Sequence, residues 1–246
     1  MLNKKIKSAS IVVIGNEILS GRTQDKNINY IAKELFKSGV LLKYVCVIPD
    51  EKKIIVNEIR RLKRKFDFII TTGGIGPTHD DITAESISLA VKKSYVLHKD
   101  AYQELVKYYK KIKSDLTDAR KKMAYMPKGS KLIKNSVSGA PGFQIENIFV
   151  FAGIPSIAEA MTKEFLKIIK VKNKFYSTSI TTKLFESKIA HILEKAENSY
   201  HDVSIGSYPI YDGKPRGVEI VISSMVNKTN VLSAKKFISS QINKII

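Results

Sequence analysis

The residues best suited to chemistry crowd into one stretch, Thr71-Thr72-Gly73-Gly74-Ile75-Gly76-Pro77-Thr78-His79-Asp80-Asp81-Ile82-Thr83. Three glycines within four positions let main-chain N–H groups come close to a ligand. The helix expected from about Asp81 adds free amides and a positive dipole end. That combination binds a phosphate. Asp80 and Asp81 sit badly beside an anion unless a cation intervenes, and a hard divalent ion bridging carboxylate and phosphate oxygens reconciles the two. The competing explanation is that one aspartate caps the helix while Thr83 supports its first turn. A cap needs neither two carboxylates nor three glycines, which favours a functional role for at least one aspartate.

Other candidates follow other apolar runs. Gly15-Asn16-Glu17-Ile18-Leu19-Ser20-Gly21-Arg22-Thr23 is one residue too long for a Walker A loop and carries Arg22 where lysine is required. Glu17 nevertheless stands where a ligand would bind. Of Asp25 and Asn27, which open the next helix, capping explains one and a site role the other. Asp50, after Pro49, reads locally as an N-cap. Ser138-Gly139-Ala140-Pro141-Gly142 is small enough for backbone contact with a ligand, and turn formation alone would also produce it. Gly153-Ile154-Pro155-Ser156 marks a strand end, with Ser156 as a helix cap. His79 is expected to be solvated, and Cys46, amid apolar neighbours, to be a core residue. No Ser/His/Asp or Cys/His arrangement is recognisable, so covalent catalysis is disfavoured.

These loops need a scaffold, and the patterning supplies one. Residues 10–14, 40–48 and 66–71 are apolar runs ended by glycine or proline, as strands buried on both faces are. Between them, residues 27–38 carry Ile28, Ile31, Ala32, Leu35 and Phe36 on one stripe, with Gly39 as the terminator. Residues 52–65 carry Ile55, Ile59 and Leu62 at helical spacing. A helix over 81–91 completes β-α-β-α-β-α, the order of a mostly parallel sheet with helices on both faces. Further helices are expected over 100–111 and 115–126, strands over 131–133, 143–145 and 148–152, and a helix over 156–170 with Ile157, Met161, Phe165 and Ile168 inward. Polar residues 170–174 break the pattern, giving domains over 1–170 and 175–246. The second reads as a βαββα lobe. Loops at the carboxyl ends of parallel strands open on one crevice, so the candidates can share a site.

Composition narrows the function classes. With 43% apolar residues and mean hydropathy −0.11, a sizeable core is affordable and wholesale disorder is excluded. No apolar run approaches the ~20 residues that cross a bilayer, and residues 1–5 lack a secretory pattern, so a cytoplasmic protein without membrane association is expected. A single cysteine agrees with a reducing compartment, and four scattered histidines offer no zinc-ligand spacing. The formal net charge is +19, yet only six of the 42 cations are arginine. Diffuse lysine reads as a solvated surface that attracts small anions, and nucleic acid is not the expected partner.

The motif Thr72-Gly73-Gly74-Ile75-Gly76-Pro77-Thr78-x-Asp80-Asp81-x-Thr83, with Gly15-Asn16-Glu17-Ile18-Leu19-x-Gly21 and Asp25-x-Asn27 upstream, resembles the amino-terminal domain of the competence/damage-inducible (CinA) family. That domain is a branch of the MoaB/Mog-like molybdopterin-binding fold. Pro127, Asn135, Ala140-Pro141-Gly142-Phe143 and Gly153-Ile154-Pro155 follow in the family's order, and Ser204-Ile205-Gly206-Ser207-Tyr208-Pro209 is similar to its small KH-like lobe. Ile157 stands where longer relatives have a glutamate, so no role is carried over for that carboxylate. The deamidase domain of full-length CinA has no counterpart, and its activity is not expected. The chain looks like a short form, similar also to the molybdopterin-binding-like domain of eukaryotic FAD synthases. The resemblance implies a three-layer αβα domain that is a homodimer or homotrimer. It implies one of two activities: metal-dependent (Mg²⁺, Mn²⁺ or Co²⁺) cleavage of a nucleotide pyrophosphate such as ADP-ribose or FAD, or binding of molybdopterin without that chemistry. It also raises Asp50 from a cap to a site residue. Asp81, Asp80 and Asp50 are then the catalytic candidates, with Asp81, Asp80 and Glu17 around the metal.

Overall fold

The computed structural model describes residues 6–171 and 175–245. Residues 1–5, and part of the boundary expected at 170–174, lie outside the described residues. Two compact units divide the chain, Met1–Val171 and Lys172–Ile246.

The first unit runs β1 (Lys7–Ile14), α1 (Asn16–Leu19), α2 (Asn27–Lys37), β2 (Val40–Ile48), α3 (Lys52–Lys63), β3 (Phe68–Thr72) and α4 (Thr83–Ala90). It continues through β4 (Tyr95–Leu97), α5 (Lys99–Lys111), α6 (Asp118–Lys121), a 3₁₀ turn (Lys122–Ala124), β5 (Tyr125–Pro127), β6 (Lys131–Ile133), β7 (Gly142–Ile145), β8 (Ile148–Phe151) and α7 (Pro155–Ile169). Six strands form the central sheet in the order β2-β1-β3-β8-β7-β6. The pairs β1/β2, β1/β3 and β3/β8 are parallel, while β7 lies antiparallel to both β8 and β6.

Alternation along the buried strands serves two cores. Val12, Ile14, Ile69 and Val150 face Ile55, Ile59 and Leu62 of α3, Ile87 of α4 and Leu105 of α5. Ile11, Val13, Ile70 and Phe149 face Ile31 and Leu35 of α2 and Met161 and Phe165 of α7. The expected three layers are therefore present, with α2 and α7 on one side and α3, α4 and α5 on the other. Because β1 lies between β2 and β3, the connection leaving β1 passes over one face and the connection entering β3 over the other. A crevice opens at their carboxyl ends, which is where open α/β sheets bind ligands.

Four local expectations are corrected. The loop after β1 contains a one-turn helix, α1. Residues 115–126 are not one helix: Thr117 caps α6, accepting from the Arg120 amide at 3.3 Å, and the chain then tightens and straightens into β5. Pro127 forces that, since the residue before a proline is driven to extended backbone, and β5 pairs antiparallel with β4. Ile168 is exposed: the buried face of α7, which also includes Ala158 and Thr162, ends at Phe165. Ser156 does not cap α7: Ile154 is the cap residue, and Pro155 fills the first turn, where a missing N–H costs nothing.

The second unit runs β9 (Tyr176–Thr182), α8 (Glu186–Ser199), β10 (Ser204–Tyr211), β11 (Pro215–Ser224) and α9 (Lys228–Ile242). Its antiparallel sheet has the order β10-β11-β9, and Val218, Ile220 and Ile222 pack on Ile189 and Ile192 of α8 and Ala234 and Ile238 of α9. The Gly213-Lys214-Pro215-Arg216-Gly217 segment is the tip of the β10–β11 hairpin, where Arg216 pairs with Asp212 at 2.7 Å.

Candidate functional site

Gly73 and Gly74 end β3 in left-handed backbone, at φ 100° and 67°. A Cβ on Gly73 would meet the Ile14 carbonyl at 2.1 Å, so only glycine lets the loops after β1 and β3 touch at the crevice. A Cβ on Gly74 would meet Thr83 Oγ1 at 2.1 Å, and the Thr83 amide donates to the Gly74 carbonyl at 2.9 Å. The glycine loop is thus folded back onto the first turn of α4. The Thr83 hydroxyl is fully buried there with no hydrogen-bond partner. Gly76 lies under Asp81, whose Oδ2 is 2.6 Å from where its Cβ would be.

Neither aspartate of the loop caps α4. Ile82 is the cap residue and its helix start has no side-chain acceptor. Asp81 turns back instead, its Oδ2 accepting from the Thr78 amide at 2.8 Å. Thr78 Oγ1 stands 2.5 Å from both Asp80 Oδ1 and Asp81 Oδ2. A hydroxyl carries one proton, so it satisfies one carboxylate and leaves the other oxygen facing an acceptor. The Thr78 hydroxyl is the main reason the Asp80 carboxyl lies below its usual range, with His79 and Lys122 adding a smaller pull. His79 and Pro77 are exposed.

Asp50 likewise leaves its own helix. The cap residue of α3 is Glu51, without a side-chain bond, while Asp50 Oδ2 accepts from the Asn16 amide at 2.8 Å. The loops after β1 and β2 are thereby tied together. Burial pushes the Asp50 carboxyl above its usual range; the Asn16 amide opposes this, and the charges of Glu17, Asp80 and Asp81 reinforce it. Asp50 therefore feels the charges of carboxylates from the two neighbouring loops at the mouth of the sheet. They do not close a cage: among the described residues, no three His, Cys, Asp or Glu side chains gather closely enough to hold a metal ion alone. Glu17 folds over Gly15, and Asp80 and Asp81 are turned to Thr78, which keeps the expected Glu17-Asp80-Asp81 set apart.

The remaining candidates divide into supports and walls. Asp25, one residue ahead of the cap position of α2, accepts from the Ile28 amide of its first turn at 2.8 Å. Buried Asn27 donates from Nδ2 to the Gly153 carbonyl at 2.7 Å, fastening the last loop to the first. Gly153 abuts Gly73, 3.3 Å from its Cα if a Cβ is added, while Pro155 starts α7. The 138–142 loop is largely its own turn: Asn135 Nδ2 donates to Ser138 Oγ at 2.6 Å and to the Ala140 carbonyl at 2.8 Å. Gly139, at φ 70°, passes against Tyr108, and Gly142 belongs to β7, where a Cβ would strike the Val150 carbonyl. Only Pro141 reaches the glycine loop, lining a narrow cleft with Gly76, Asp81, Lys122 and Tyr125.

Lys122, which motif reading did not single out, stands beside the glycine loop. Its Nζ donates to the Thr78 carbonyl at 2.5 Å, setting a cation at the rim of the acidic loop. It lay hidden in a lysine-rich run, and only the chain reversal into β5 carries it there. A wider groove of ≈ 960 Å³ opens against Asn135, Gly139, Pro141, Ser156 and Lys163, and Glu17, Asp50, Asp80 and Asp81 are not in its lining.

Residues 10–171 match the family described as "Probable molybdopterin binding domain". The chain belongs to that family. Residues 174–246 match "FAD synthase, middle domain". A protein of Archaeoglobus fulgidus is 35% identical over 227 residues, covering 92% of this chain and 95% of that one. A CinA-like protein of Thermosipho melanesiensis is 34% identical over 209 residues, 82% of this chain but 52% of its own length. The solved structure of the protein CinA with unknown function from Thermoplasma acidophilum superposes with a TM-score of 0.61 at 32% identity, covering 66% of this chain and 98% of that one. The first unit is therefore a CinA-like molybdopterin-binding domain, with the mostly parallel sheet its sequence implied. No helix among the described residues is long and apolar enough to cross a membrane.

Proposed function

We propose that the crevice binds the diphosphate of a nucleotide and hydrolyses it with the help of a divalent cation. The observation that carries this reading is the Asp80 and Asp81 pair on Thr78 at the end of the glycine loop, with Asp50 of a second loop held above its usual range by burial and by the charges of Glu17, Asp80 and Asp81. Uncompensated negative charge next to amides built for an anion is the environment a cation relieves. With no three-carboxylate cage, the fit is to a hard ion held by one or two carboxylates and by the ligand's own oxygens, as Mg²⁺ is in nucleotide sites. Such an ion stabilises charge developing on phosphoryl oxygens and lowers the pKa of an attacking water.

The chain's own groups do the rest. Amides of Gly74–Gly76 would hold one phosphate, the Gly73 amide being bonded to the Phe151 carbonyl at 3.2 Å; Asp81 and Asp80 would hold the ion, and Asp50 fixes the Asn16 turn through the amide bond described above. Lys122 neutralises the outer phosphate. The match of residues 174–246 to a domain of FAD synthase supports a nucleotide rather than an inorganic ligand. The test is turnover of ADP-ribose and FAD with Mg²⁺, Mn²⁺ or Co²⁺. Asp81→Asn is expected to reduce it about 10²-fold or more; turnover at the wild-type rate would remove Asp81 from the mechanism.

A second reading, molybdopterin binding without chemistry, has one observation in its favour. Thr78 already engages both loop aspartates through protein hydrogen bonds. On that reading ligand affinity is indifferent to divalent ions.

A further inference from the structure

We propose that the hollow between α4 and the β4–β5 ribbon seats the planar ring of the ligand, with Tyr125 as its stacking platform. This rests on the reading of the glycine loop as a diphosphate site. The hollow, ≈ 320 Å³, is lined by Glu85, Tyr95, Asp118, Lys121, Lys122 and Tyr125, and falls within the range of about 300–1,000 Å³ typical of small-molecule sites. It adjoins the phosphate end: Tyr95, Lys122 and Tyr125 also line the narrow cleft that contains Gly76 and Asp81.

The ribbon presents its tyrosines by register. Tyr95 opposes Pro127 and Leu97 opposes Tyr125, so the two tyrosines are diagonal neighbours on one face. Their ring centroids are 5.5 Å apart at 46°. Tyr95 leans on the apolar core and is fixed by it, and burial pushes its hydroxyl up to about 12, so it stays a neutral donor. Tyr125 is partly open and offers its π-face, which favours planar rings whatever their substituents. Lys122, anchored on the Thr78 carbonyl, stands where a linker from ring to diphosphate would pass. Glu85 and Asp118 at the rim suit the edge donors of a nucleobase, flavin or pterin, and they disfavour a polyanion such as RNA. The wider groove beside Asn135 has no aromatic side chain in its lining.

The test uses the full chain with Mg²⁺ and measures affinity for ADP-ribose and, separately, for inorganic pyrophosphate, which has no ring. Tyr125→Ala is expected to weaken ADP-ribose about ten-fold or more while pyrophosphate changes less than about two-fold; Tyr125→Phe keeps both. Unchanged pyrophosphate affinity also shows that the variant is folded at the glycine loop. Equal losses for both ligands, no loss for either, or wild-type protein that binds ADP-ribose no tighter than pyrophosphate would overturn the assignment. Tyr125-dependent ADP-ribose binding without any hydrolysis would instead sink the catalytic reading and leave this one standing.

Discussion

At the scale of single residues the site is organised by side chains that bond away from their own helices. Asp50, Asp81 and Asn27 each stand at a helix start: Asp50 reaches the loop after β1, Asn27 reaches Gly153 in the loop after β8, and Asp81 turns back on Thr78 of its own loop. Asp50 bears the cost: it is partly buried and repelled by three acids, and this raised carboxyl works against folding wherever it is ionised in the native state. The sign is definite. A raised folded-state pKa means that stability is gained as pH falls through it and lost as pH rises. Asp50→Asn keeps an oxygen to accept from the Asn16 amide and removes the charge. The variant is expected to melt roughly 1–3 °C higher than the wild type at neutral pH, with hydrolysis reduced; equal melting temperatures would show that the acids do not strain the empty crevice. Cys46, by contrast, is a bystander. Burial pushes its thiol up to about 11, beside Glu58 at 3.6 Å, so it is no nucleophile at neutral pH.

At the scale of elements, the glycine loop is only as well placed as β1, β3 and α7. Asp67, just ahead of β3, ties down the start of β1: it accepts from Lys7 Nζ at 2.6 Å and from the Ser8 amide at 2.9 Å. Burial alone would raise this carboxyl, but the bonds from Lys7 and Ser8 outweigh it and hold it at about 2. Being depressed in the fold, it contributes stability above its unfolded value of about 4 and loses it as pH falls from about 4 to about 2. Asp67→Asn should therefore cost about 1 kcal/mol near pH 7, and the gap from wild type should close on acidification, as read by denaturant melts at both pH values. A constant gap would mean packing, not charge, is responsible. On the opposite face, Phe165 meets Phe68, Phe149 and Phe151 edge-on at 4.6–6.1 Å and is fully buried. Phe165→Ala is expected to cost about 3–5 kcal/mol.

At the scale of the whole molecule, what was legible in the sequence was whatever repeats a short period. The runs before Gly15 and Gly73 read as strands because burial on both faces demands apolar residues, whereas β2 read as a strand although it lies at the sheet edge with Leu41 and Val45 exposed, and the helices α2, α3 and α7 showed their stripes. The β4–β5 ribbon was illegible because the lysine-rich residues after Asp115 mimic a helix until Pro127 forbids it, which hid β5 and with it the partner of β4. Lys122 and Tyr125 were missed with it. Which acids cap and which reach across was equally hidden, since a cap and a cross-loop acceptor use the same side chains and differ only in where the neighbouring loop lies. The charge also finds its explanation at this scale. Arg60 binds the last carbonyls of α4, Arg61 grips Glu58 and covers Tyr44, and Arg120 holds the 114–115 turn and covers Tyr109. Half of the arginines are thus consumed in holding the fold, and lysines are left to draw anions.

The central claim is that a cation mediates between this acidic cluster and a bound diphosphate. Calorimetric titration of ADP-ribose into the protein, with millimolar Mg²⁺ and again in excess chelator, tests it most directly. Binding is expected to be at least about ten-fold tighter with Mg²⁺, with no such difference in Asp81→Asn. Equal wild-type affinity in the two buffers would contradict it.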